Sequence, residues 1–291
     1  MHVERRRLVG LVYVAPALLF VAAFVAWPLW QLFRMSLTSS SLLGGGAFVG
    51  AANYLKAWRD ETFWHALLFT LKYTAYVTPI LMLGGFLLAL LTAEPGRIAR
   101  FTRGVVFLPV VIGLGSSSFL WVGLLDEQVG LVGRLLHDLG LVAAPPVWFV
   151  DAERGLWAVI WTVVWKVIGF GMLLFVAGMQ GIGIDVREAA MLDGAGYWQR
   201  VRYITLPLML RTLLLTTLIS VIGSLLAFEQ FYIMTAGGPR SQTFTSVYWI
   251  YQNSFIYFKQ GYGAALSIVL LGIILALSVV HFLVSRRDRE T

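Results

Sequence analysis

Six stretches of twenty or more mostly apolar residues divide this chain, near 8–33, 66–92, 104–125, 155–180, 206–235 and 261–285. A helix that crosses ~30 Å of hydrocarbon needs about 20 such residues, and inside the bilayer every backbone amide must be satisfied within the segment itself. Of the 291 residues, 59% are apolar and only 13% are charged, which places the chain outside the range of water-soluble domains. The expectation is therefore an all-α integral membrane protein with six transmembrane helices in a single transmembrane domain, 1–291. The first run follows Arg5-Arg6-Arg7. Its apolar part is longer than the ~7 to 15 residues of a signal-peptide core, so it is expected to be a retained span.

The basic residues set the orientation. With the N-terminus in the cytoplasm, inside segments carry thirteen Lys and Arg against seven outside, while the acidic residues divide seven and seven. Only Lys and Arg obey the positive-inside bias, so six spans put both termini in the cytoplasm. Trp27, Trp30, Trp58, Trp64, Trp121, Trp148, Trp157 and Trp249 gather near the expected span ends, where an indole suits the headgroup level. The net charge of +7 is scattered in small groups flanking apolar runs rather than packed into a stripe, which argues against nucleic acid. There is no cysteine, so thiol nucleophiles and thiolate metal sites are excluded. The histidines, His2, His65, His137 and His281, lie far apart without metal-ligand spacing.

One inside loop, 181–205, is long and patterned. Val186 to Asp193 is rich in helix formers, with Asp185 and Glu188 expected in its first turn, where the helix dipole favours negative charge. Gly194 ends that helix, Tyr197, Val201 and Ile204 resume one apolar face, and Pro207 stands in the first turn of the next apolar run. By composition alone this loop could simply lie on the headgroups as an amphipathic helix, helped by Arg200 and Arg202.

The spacing of Glu188-Ala189-Ala190, Gly194 and Ile204-x-Leu206-Pro207 closely resembles the EAA motif, EAA-x3-G-x9-I-x-LP, of permease subunits in ATP-binding cassette importers. Asp193-Gly194-Ala195 looks like its carbohydrate-importer form. Phe228-Glu229-Gln230-Phe231-Tyr232, Thr235-x-Gly237-Gly238-Pro239 and Gly261-Tyr262-Gly263-Ala264-Ala265 resemble the corresponding segments of the MalF/UgpA-like permeases, as Trp165-Lys166 with Phe170 resembles their fourth core span. The resemblance implies a type I importer, MetI-like permease fold in a bacterial or archaeal cytoplasmic membrane. It implies a coupling helix docked on a cytoplasmic ATPase through Glu188, Ala189, Ala190, Asp193, Gly194 and Ala195. It also implies partners: a second permease subunit, two ATPase subunits that hold ATP and magnesium, and an extracytoplasmic solute-binding protein. The family usually has proline where Gly183 stands and often aspartate where Glu229 stands.

No Gly-x4-Gly-Lys-Ser/Thr run exists, and the four lysines, Lys56, Lys72, Lys166 and Lys259, avoid glycine-rich loops, so the chain is expected to be neither an ATPase nor an enzyme, and to bind no cofactor. Ionisable groups within spans cost about 2.5 to 3.5 kcal/mol on insertion and usually face protein or water. Lys166 and Glu229 could form a structural ion pair or line a substrate pathway, whereas Lys72 lies near a span end and can snorkel. Trp165, Phe170, Ser224, Phe228 and Tyr232 share those two spans and offer stacking faces and hydroxyls for a sugar, against the alternative of simple packing. The expected function is import of a sugar, an oligosaccharide such as maltose or trehalose. Glycerol 3-phosphate or a related polyol or phosphodiester is the alternative substrate. A self-sufficient secondary transporter or channel is the alternative class, and it would often show an inverted internal repeat, of which the sequence has none. A membrane scaffold that only binds a cytoplasmic partner is a further alternative.

Overall fold

The computed structural model describes residues 13–41 and 44–287, with side chains to 283. Arg5, Arg6, Arg7, Arg289 and the first residues of the first expected span lie outside the described residues. Helices α1 (Tyr13–Ser36), α2 (Ala52–Trp58), α3 (Glu61–Thr92), α4 (Arg97–Phe107), α5 (Leu114–Leu124) and α6 (Leu131–Asp138) make the first half. The second half contains α7 (Ala152–Gln180), α8 (Ile184–Leu192), α9 (Tyr197–Leu208), α10 (Leu210–Leu225), α11 (Glu229–Met234), α12 (Ser246–Tyr251) and α13 (Gln260–Arg287). The chain divides into two compact units, one formed by the described residues of 1–61 with 249–273, the other by 62–248 with those of 274–291.

Among the described residues, α1, α3, α7 and α13 are each long and apolar enough to cross a bilayer. The remaining two expected spans are not straight. The third comprises Arg97–Val111 and Leu114–Leu124, bent by 99°. Its cause is local: Pro109 lies in a 3-10 turn, and Ile112 and Gly113 are extended (ψ 137° and 145°), so the α-helical ladder cannot continue. The fifth comprises Tyr197–Leu208 and Leu210–Leu225, bent by 70° at Met209. Pro207 supplies no amide there, and the turn before it, Val201–Thr205, widens into a π-helix, a common accommodation of a proline ring against the preceding carbonyls. The ladder stops again at Leu226 to Phe228, so Glu229 opens the short helix α11 instead of lying inside a continuous span.

In the larger unit the core joins α3, α7 and α10. Ala89, Met172, Phe175, Val176, Met179, Ile182 and Met209 form a buried cluster, lined by Met82, Phe86 and Leu213. Helix α4 lies close against α7 because Gly169 has no side chain: a Cβ there would come within 2.3 Å of the Val106 carbonyl oxygen. The buried cluster, through Met179 and Ile182, anchors the end of α7, from which the patterned loop departs. In the smaller unit, the Asn53 amide donates to the carbonyls of Ser36 and Thr38, both at 2.8 Å, and the Gly261 amide donates to the Ser40 carbonyl at 3.0 Å.

Candidate functional site

Helix α8 starts at Ile184, two residues earlier than the sequence suggested, with Gly183 as its N-cap. Asp185 therefore occupies the first turn, and Glu188 moves into the second, where the dipole acts on it weakly. The helix ends in a Schellman arrangement: the Ala195 amide donates to the Ala190 carbonyl at 2.9 Å and the Gly194 amide to the Met191 carbonyl at 3.1 Å. Gly194 takes φ +78°, a left-handed conformation that glycine adopts without strain. Ala190 is the buried contact of the helix, while Glu188, Ala189, Asp193 and Gly194 are exposed and Ala195 is half-buried. The Arg187 guanidinium ties the helix back to the Met179 carbonyl at the end of α7. Ile184, Val186, Met191 and Leu192 are also exposed, Leu192 at 89%. A short helix held by its small-residue face thus presents bulky apolar side chains and a carboxylate outward.

The expected pathway residues separate into four places. Lys166, Phe170 and Ser224 line one cavity of about 220 Å³, bounded also by Tyr73, Thr216, Ser220 and Gln230. Trp165 meets Trp121 edge to face at 5.7 Å. Phe228 and Tyr232 belong to an aromatic cluster with Tyr248, at ring distances of 5.8 and 5.4 Å, and Phe244 joins through Tyr248 at 4.6 Å. Glu229 lies against α5, its Oε2 3.5 Å from where a Cβ on Gly115 would stand. The possible Lys166–Glu229 ion pair is not formed among the described residues. Lys72 instead pairs with Glu153, both partly exposed, so the snorkelling lysine finds a carboxylate at the start of α7.

Sequence reasoning missed Tyr73, Thr216, Ser220 and Gln230. Thr216, Ser220 and Ser224 recur every four residues in an apolar run, a signal that was available. Gln230 is 3% exposed; its amide nitrogen makes a long 3.5 Å contact with the Tyr73 hydroxyl, and its Oε1 has no hydrogen-bond partner. An unmet acceptor in a mostly apolar cavity fits a ligand that brings a hydroxyl donor. Among the described residues no group of three or more His, Asp or Glu could hold a metal ion.

This fold is shared with solved transporters. A bacterial alginate ABC transporter, crystallised in complex with an alginate pentasaccharide-bound periplasmic protein, contains a chain that matches with a TM-score of 0.83 and 21% identity over 99% of this chain and 97% of that one. The class is that of ABC-importer permease subunits. The chain belongs to the family of binding-protein-dependent transport system inner membrane components, whose description matches residues 44–290. It is 30% identical to the lactose transport system permease protein LacF of Rhizobium radiobacter, covering 96% of this chain and 95% of LacF. It is 29% identical to the trehalose/maltose transport system permease protein MalF of Thermococcus litoralis, covering 98% and 96%. The protein is accordingly an integral permease subunit of the cytoplasmic membrane and not an enzyme.

Proposed function

We propose that this chain forms half of the translocation pathway of an ATP-driven sugar importer and takes an uncharged oligosaccharide such as maltose or trehalose. The observation that carries the reading is α8, a helix that projects Glu188 with exposed apolar neighbours while its inner face is tied to the core by Ala190 and Arg187. Such a helix suits a cleft on a cytoplasmic ATPase, with Glu188, Ala189, Ala190, Asp193, Gly194 and Ala195 as its docking surface. The ATPase subunits supply ATP and magnesium, a second permease completes the pathway, and an external binding protein delivers the sugar. In this reading the four straight helices and two bent pairs are six spans of one permease domain, with both termini in the cytoplasm.

The substrate class rests on the cavity, where an otherwise mostly apolar wall carries the hydroxyl and amide groups of Tyr73, Ser220, Ser224 and Gln230 beside the single cation Lys166. Such a lining hydrogen-bonds a neutral sugar better than it neutralises a phosphate. Relatives named for lactose and for trehalose and maltose support the same class. Trp165, Phe228, Glu229 and Tyr232 stand outside that cavity and are assigned to the pathway beyond it. The test is ATP-dependent uptake of labelled oligosaccharide in vesicles holding all the subunits. Glu188→Lys is expected to abolish uptake while binding-protein affinity stays unchanged, and Lys166→Ala to lower uptake without preventing assembly. Uptake by this chain alone would overturn the reading.

A further inference from the structure

The smaller unit carries a second cleft, of about 670 Å³, lined by Lys56, Arg59, Asp60, Trp249, Asn253 and Lys259 with Tyr257 and Tyr262. Asp60 immediately precedes α3 and Lys259 immediately precedes α13, and the Tyr262 hydroxyl donates to Asp60 Oδ2 at 2.5 Å. That bond sets the N-terminal ends of the two long apolar helices side by side at the cleft. Because both helices start beside it, the cleft lies at the bilayer surface when they span.

The charges are unbalanced. Three cations, Lys56, Arg59 and Lys259, stand against the single carboxylate Asp60, whose Oδ2 already accepts from Tyr262 and, at 2.9 Å, from the Trp249 indole. None of the three cations is in an ion pair among the described residues. Aromatic rings hold the lysines in place: the Lys56 amine sits 4.0 Å over the Tyr262 ring and the Lys259 amine 5.6 Å over the Tyr257 ring. Burial and the neighbouring Lys259 push the Lys56 amine below the ordinary lysine range, with Asp60 opposing. One carboxylate does not balance three cations. Nothing about sugar transport calls for an anion at this position.

We propose that this cleft binds the phosphate of an anionic phospholipid headgroup in the outer leaflet, with Lys56, Lys259 and Arg59 on the phosphate oxygens and the half-buried Trp249 and exposed Tyr257 rings against the glycerol backbone. The inference rests on α3 and α13 spanning the bilayer, and its test does not depend on transport. The full-length chain in neutral detergent is titrated by calorimetry with dioctanoyl phosphatidylglycerol, dioctanoylglycerol and inorganic phosphate. Saturable binding of phosphatidylglycerol is expected, tighter than either alone. At about 1 kcal/mol per lysine beside an anionic surface, Lys56→Gln with Lys259→Gln is expected to weaken it about thirtyfold. Lys259→Gln alone, for use if the double variant fails to fold, is expected to weaken it about fivefold. Arg134→Gln, a basic residue in another outer loop, is expected to leave it unchanged. The proposal is overturned if the folded lysine variants bind as the parent does, if inorganic phosphate binds as tightly as the lipid, or if a carboxylated oligosaccharide displaces the lipid at lower concentration.

Discussion

Gln230 sits with its Oε1 unmatched at 3% exposure, beside the cavity that also holds Ser220 and Ser224. A buried acceptor without a donor costs about 1 to 3 kcal/mol, so a protein keeps one only against some other gain. If that gain is a sugar hydroxyl, Gln230→Leu is expected to leave the chain as stable or about 1 kcal/mol more stable by thermal unfolding, while uptake falls at least tenfold. A loss of stability together with unchanged uptake would make Gln230 a packing residue. Gly194 is the opposite case, a residue whose value lies in its backbone. Gly194→Ala places a side chain at φ +78° and is expected to cost about 1 to 2 kcal/mol, read as a lower apparent Tm. Lys72 and Glu153 are each about half-exposed, so removing that pair by Lys72→Met is expected to change stability by under about 1 kcal/mol.

At the level of elements, α8 was legible because its signals are local. Good helix formers, the stopping glycine and the fixed motif spacing all act within a few residues. Its exact start was not legible, since Gly183 and not a polar residue caps it. Gly183 has φ −54° and ψ 140°, values that proline also adopts, and a Cβ there meets nothing within 4 Å. Restoring the family's usual residue by Gly183→Pro is therefore expected to stabilise the turn by about 0.5 kcal/mol, seen as a small rise in Tm with uptake retained. A fall in Tm would show that the amide of residue 183 or the conformation of Ile182 matters. The bends at Ile112 to Gly113 and at Met209 were written less clearly. Pro109 and Pro207 mark where a ladder can break, but an apolar run looks the same whether its helix is straight or folded back by 99° or 70°.

For the whole molecule, the absence of cysteine makes topology directly measurable. Val129→Cys, exposed in a loop that the proposed orientation places outside, is expected to react with an impermeant maleimide in intact cells. Leu192→Cys on α8 is expected to react only after permeabilisation, and to be protected when the ATPase subunits are present. Reaction of both in intact cells would reverse the orientation of the loop.

By itself the sequence determined the all-helical membrane class and, through motif spacing, the family. Hydropathy and local turn chemistry act between near neighbours, so they are written in residue order. The tertiary structure alone decided which polar groups share a cavity. Lys166 and Ser224 come together with Tyr73 and Gln230, Glu229 turns away to Gly115, and Lys72 finds Glu153. Those meetings depend on how far each helix bends and on which face it turns to its neighbours. Both are set by the packing of side chains far apart in the chain, against a lipid solvent that gives every apolar face the same welcome.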